Sequence, residues 1–171
     1  VYSKGRTGLP SLLKELQEKR EPLRMLLIAA NTYPPIGGVD EEVAVVEDCV
    51  RRAFAPFQVV IDTVPPERAT YETVIRKLEG CPYHILHYAG HAVHDADRPR
   101  NSGLILRDVR PLDGGEAPSR DRLEVLTLEA LKNALWRKGH SLRFAYLSCC
   151  QGAASSRGDA LLGEDFLGTA D

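Results

Sequence analysis

Tyr83-His-Ile-Leu-His-Tyr-Ala-Gly-His91 and Leu142-Arg-Phe-Ala-Tyr-Leu-Ser-Cys-Cys-Gln-Gly152 share one plan: an apolar run of strand length that ends in residues able to do chemistry. Arg24-Met-Leu-Leu-Ile-Ala-Ala30 is a third run of the same kind, continuous rather than alternating. Such runs mark strands of a parallel sheet, which are covered on both faces.

The segments between these runs read as crossovers. After the loop from Asn31 to Gly38, Asp40 reads as an N-cap, and Val43, Val46, Val50 and Phe54 recur at helical spacing. Phe57 to Thr63 predicts a second strand, Pro66 to Leu78 a second helix with proline in its first turn, and Tyr83 to Tyr88 a third strand. Gly103 to Asp108 is a short strand, and Val109 to Arg122, rich in glycine, proline and charge, reads as a mobile loop of functional length. Thr127 caps a helix that runs to Trp136 and is ended by Gly139, and Leu142 to Leu147 is a fourth apolar strand. Ser11 to Glu21, with Leu12, Leu13 and Leu16 among charges, is a short amphipathic helix ended by Pro22. Residues 1–22 are therefore assigned to a lead-in helix or linker, and 23–171 to one domain. Strands alternating with helices of crossover length predict an α/β fold, a mostly parallel sheet with helices on both faces.

Composition excludes several partners. A chain of 171 residues, 43% hydrophobic, buries one sizeable core and is too short for two. The formal net charge is −2 with both signs interspersed, so no basic stripe exists to neutralise phosphates and nucleic acid is not a direct partner. No apolar run approaches the roughly 18 residues of a membrane helix, and Val1-Tyr-Ser-Lys-Gly5 lacks a signal-peptide core. A cytoplasmic protein is expected. Four cysteines, two of them adjacent, make a poor disulfide framework and read as reduced thiols.

In parallel α/β sheets, ligands bind beyond the carboxyl ends of the strands. His91 follows the third strand and Cys150 ends the fourth, so both reach that edge if the two strands are neighbours. A thiol is strongly nucleophilic as thiolate, and an imidazole in hydrogen-bond reach takes its proton and later returns it to a leaving amine. His91 and Cys150 are the candidate couple. Adjacent strand residues point to opposite faces, so Cys149 and Cys150 cannot both face His91, and Cys149 reads as packing. His84, His87, His91 and His94 raise a zinc reading. Their spacing alternates along a strand and then crosses Gly90, so the rings diverge, and no C-x-x-C pair completes a site. No metal or organic cofactor is expected, and His87 is read as a support acting through a hydrogen bond.

Five stretches together closely resemble the CHAT family, caspase-like peptidase domains usually linked to TPR repeats, within the caspase, metacaspase and separase group. They are Leu86-His-Tyr-Ala-Gly-His-Ala92, Asn101-Ser-Gly-Leu-Ile-Leu106, Leu126-Thr-Leu128, Leu147-Ser-Cys-Cys-Gln-Gly152 and Gly163-Glu-Asp-Phe-Leu-Gly168. Cys150-Gln151-Gly152, 59 residues after His91, also matches part of the caspase pattern Q-A-C-[RQG]-G with its upstream histidine. The resemblance implies a caspase-like fold and a cysteine endopeptidase cleaving a protein substrate. It makes His91 the general base and acid and Cys150 the nucleophile. It implies an oxyanion hole from the N–H of Cys150 and an N–H beside His91, which makes Gly90, Ala92, Ser148 and Gln151 hole or pocket candidates. Many relatives carry glycine after the histidine; Ala92 would be strained if φ there were positive.

Ser148 stands where metacaspases carry the aspartate that holds a basic P1 side chain. Asp95, Asp97, Asp159 and Glu164 are alternatives, each read as a solvated loop charge, so a neutral or apolar P1 is expected. Family members continue past Gly168 through further elements that finish the sheet. A fragment with its C-terminal part missing is therefore expected; either another chain supplies the absent segment or the isolated piece behaves poorly. Regulation by a TPR-like domain or partner is implied by resemblance. The alternative function is a catalytically silent CHAT-type interaction module.

Overall fold

A computed structural model describes residues 8–32, 35–95, 97–107, 122–136 and 141–149. In chain order these form α1 (Leu9–Lys19), β1 (Leu23–Ala30), α2 (Val39–Ala53), β2 (Val59–Val64), α3 (Tyr71–Gly80), β3 (Ile85–Gly90) and β4 (Ala92–Val93). Then follow β5 (Gly103–Arg107), β6 (Leu123–Thr127), α4 (Leu128–Trp136) and β7 (Phe144–Cys149).

The apolar runs do become a parallel sheet, in the order β2-β1-β3-β7. β1 lies at its centre, and Met25 through Ala30 are all buried. Side-chain alternation then dictates two covers. Leu26, Ile28, Leu86 and Tyr88 pack under α3 (Val74, Leu78) and α4 (Leu131, Ala134, Leu135). On the opposite face Leu23 and Ile85 meet Leu12 and Leu16 of α1, while Ala29 and Ala89 meet Val39 and Val43 of α2. Helices therefore cover both faces of the sheet.

Three local expectations change. Helix α2 starts one residue before Asp40, with Gly38 at the N-cap in the left-handed region (φ 87°) and no side-chain cap. Burial of Val39 against Ala29 and Ala89 sets this start, and Asp40, Glu41 and Glu42 fall in the first turn, where the helix dipole favours anions. The helix expected over Pro66–Leu78 is split into a 3₁₀ turn at Pro66–Arg68 and then α3. Arg107 N–H donates to Ala69 O at 2.9 Å, which ties the intervening buried segment to β5, and Thr70 then caps α3 by accepting from Thr73 N–H. Strands β2, β3 and β7 begin two residues later than their apolar runs. At β3 the cause is His84, whose ring nitrogen accepts the Arg24 N–H while its carbonyl accepts from Arg143 and Phe144.

The short strand expected from Gly103 is β5, and it is the middle strand of a second, antiparallel sheet ordered β4-β5-β6 whose pairing escapes sequence reading. This sheet packs Leu104, Leu106 and Leu126 onto the α3 and α4 side of the core. Thr127 Oγ1 accepts from Ala130 N–H, capping α4 as expected. Of the loop expected over Val109 to Arg122, residues 109–121 lie outside the described residues, as does the helix stop at Gly139. No helix among the described residues is long and apolar enough to cross a membrane.

Candidate active site

β3 and β7 are direct neighbours, as a shared site requires. Their parallel register runs from Ile85–Phe144 to Gly90–Cys149, so the two strands end level at the carboxyl edge of the sheet. His91 is the next residue after Gly90, and its main chain is fixed from two sides. Its carbonyl accepts from the Tyr88 hydroxyl at 2.5 Å and from Ile105 N–H at 2.9 Å. The Tyr88 hydroxyl also lies 2.8 Å from Ile105 O, so one buried phenol ties β3, the His91 turn and β5 together. Burial pushes the Tyr88 phenol well above its ordinary range, so it remains a donor.

Gly90 is required by this packing. A Cβ there would lie 2.6 Å from Ala30 O and 2.7 Å from the Tyr88 hydroxyl oxygen. Ala92 opens β4 opposite Leu104 and is buried. Among the described residues Arg20 is the one non-glycine at positive φ, so Ala92 carries no left-handed strain. Cys149 packs against the cluster containing Tyr88 and Leu147, in keeping with its reading as a packing residue. Cys150 and Gln151 lie outside the described residues, as do Asp159 and Glu164.

Ser148 occupies the other face of β7, and there the structure adds a residue that sequence reading missed. Glu42, from the first turn of α2, spans two strands: Oε1 lies 3.1 Å from His87 Nε2, and Oε2 accepts from Ser148 Oγ at 2.9 Å. The Nε2–H tautomer of His87 is the one that donates to this carboxylate. His87 is 3% exposed, and burial holds its pKa below the ordinary histidine value even though Glu42 pulls the other way. The ring stacks on Tyr146 with centroids 5.1 Å apart and planes 12° apart. His87 thus plays the supporting role expected of it. The signal for Glu42 was available only as an acidic triplet opening the helix after β1.

The remaining candidates are placed elsewhere. Asp95 is spent on its own turn: one oxygen accepts from the N–H groups of Asp97 and Arg98, the other from Asn101 Nδ2. His84 sits at the amino end of β3, and His94 Nδ1 lies 3.4 Å from Ser102 Oγ. Among the described residues no three histidines, cysteines or carboxylates gather as a metal site would need.

Chemically, the edge offers an imidazole-bearing residue on a fixed main chain, a strand leading directly to a second cysteine, and a carboxylate of α2 held by His87 and Ser148. The family model described as CHAT domain matches residues 6–170. A search of the curated proteins finds no match.

Proposed function

The chain belongs to the CHAT domain family, a caspase-like and peptidase-like group, and from that premise we propose that it is a cysteine endopeptidase acting through His91 and Cys150. The observation that carries the reading is the level ending of neighbouring strands, Gly90 beside Cys149, with His91 and Cys150 next along each chain. The fixed His91 carbonyl supports it further, because a general base needs a main chain that does not drift.

In this mechanism His91 takes the Cys150 thiol proton, and the thiolate attacks the scissile carbonyl carbon of a protein substrate. Backbone N–H groups of Cys150 and of Gly90 or Ala92 stabilise the oxyanion. The C–N bond breaks as His91 returns the proton to the leaving amine. Water, deprotonated by the same imidazole, then releases the acyl group from sulfur and restores the thiol. The residues suffice for this chemistry without a metal.

The test is hydrolysis of a proteome-derived peptide library by the full-length protein, read by mass spectrometry. New cleavage ends that vanish in both Cys150→Ala and His91→Ala support the peptidase. Absence of cleavage together with tight, variant-insensitive binding of a protein partner supports the silent interaction module instead.

A further inference from the structure

The mechanism gives Glu42 no part in proton transfer from Cys150, yet its carboxylate is anchored on the sheet face that carries Ser148. Both its oxygens are held, by His87 and by Ser148, so its position is set by two strands at once. Its side chain nevertheless remains 32% exposed. Among the described residues its ion-pair partner is His87 alone, and burial disfavours the charged form of that ring. A carboxylate oxygen accepts more than one hydrogen bond, so both retain capacity.

Tyr146, two residues before Ser148 and so on the same face of β7, stacks on the His87 ring that Glu42 contacts and is 54% exposed. A fixed carboxylate next to an exposed aromatic face is a receptor for a guanidinium or ammonium group, which pairs with the charge and lays its stem or plane on the ring. Ser148 is two residues before Cys150, and two residues of chain span at most about 7 Å. The P1 side chain springs from the residue whose carbonyl a nucleophile attacks, so it descends beside that nucleophile.

We propose that Glu42, oriented by Ser148 and His87 and flanked by Tyr146, is the specificity determinant that selects a lysine or arginine side chain at P1. The proposal rests on the peptidase reading for the name P1 and reverses the neutral or apolar P1 that Ser148 alone suggests. A carboxylate delivered from α2 through the Ser148 hydroxyl takes the place of one carried on the strand.

Two measurements separate this proposal from the peptidase reading. In the first, full-length protein carrying Cys150→Ala, which cannot cleave, is titrated calorimetrically with an acetylated tripeptide amide ending in arginine and with its norleucine counterpart. The arginine peptide binds about tenfold tighter or better, and Glu42→Gln, which preserves the side-chain shape, abolishes the difference. Tyr146→Ser, an exposed change that leaves the carboxylate in place, removes about three- to tenfold of the arginine affinity. In the second, chain with Cys150 intact is assayed on fluorogenic peptides differing only at P1. Glu42→Gln lowers kcat/KM for arginine at P1 by about a hundredfold and leaves leucine at P1 within about threefold. Equal affinity for the two tripeptides, or an arginine preference that survives Glu42→Gln, overturns the proposal. Arginine binding without turnover contradicts the peptidase reading and leaves the basic site standing; turnover that favours a neutral P1 does the reverse.

Discussion

Gly90 and Cys149 are register partners at the level ends of β3 and β7, and Gly90 sits under the Tyr88 hydroxyl with no room for a side chain. The edge that the candidate dyad uses is thus built on a backbone contact, Gly90 against Ala30, that tolerates one residue type.

Gly90→Ala tests that contact. The new methyl meets a carbonyl oxygen and a phenol oxygen well inside contact distance, and the carbonyl belongs to the central strand, so it cannot swing aside. The variant loses about 1–3 kcal/mol in urea unfolding, with peptidase activity falling further than stability because His91 is the next residue.

Tyr88→Phe removes the donor that the His91 and Ile105 carbonyls share while keeping the ring in the core. Leaving a buried acceptor short costs about 1–3 kcal/mol. Circular dichroism stays native, and the activity loss appears in kcat rather than KM if His91 placement is what the phenol supplies.

His87 sets an acid limit. Its folded pKa lies below the unfolded value of about 6.5 because burial penalises the imidazolium, with Glu42 and the Tyr146 ring as its facing groups. The unfolded chain therefore binds more protons between the two values, and stability rises with pH there. This contribution is complete above about pH 6.5 and is lost as pH falls toward the folded pKa. His84, lowered by burial and then by Arg143, acts in the same direction. Melting temperature between pH 5 and 7 falls less steeply in His87→Gln than in the parent; parallel curves would exclude the buried imidazole as the cause.

Ser148→Ala frees Oε2 of Glu42. The serine is half-buried on β7, so folding is nearly unaffected. Discrimination between arginine and leucine substrates shrinks, and a crystal structure of the variant finds the Glu42 carboxylate turned away from β7. Unchanged discrimination would mean that His87 alone positions Glu42.

Much of the scaffold was legible because one physical signal dominates it. Met25 to Ala30 carry no polar residue, and a strand so apolar has to sit at the centre of a covered sheet. The common edge at which β3 and β7 end follows from topology, since the ends of parallel strands gather on one side of a sheet. Of the second sheet only β5, the strand expected from Gly103, was legible: β4 has two residues and hence no period, and β6 alternates too briefly to stand out from the glycine- and proline-rich sequence before it. Glu42 escaped for a different reason. Its meaning lies in partners 45 and 106 residues away, and no local pattern encodes contacts that only the α2–β3–β7 packing creates. Asp40 lies in the first turn rather than at the cap because burial of Val39 outweighs a side-chain cap in setting where α2 begins.

The central claim is tested most directly by site-resolved iodoacetamide labelling of the full-length protein from pH 5 to 9, with His91→Ala in parallel. An activated dyad predicts rapid labelling of Cys150 well below the free-thiol pKa of about 8.5, slow labelling of Cys149, and loss of the Cys150 advantage in the variant. Labelling of Cys150 that rises only near pH 8.5 and is indifferent to His91→Ala would contradict it.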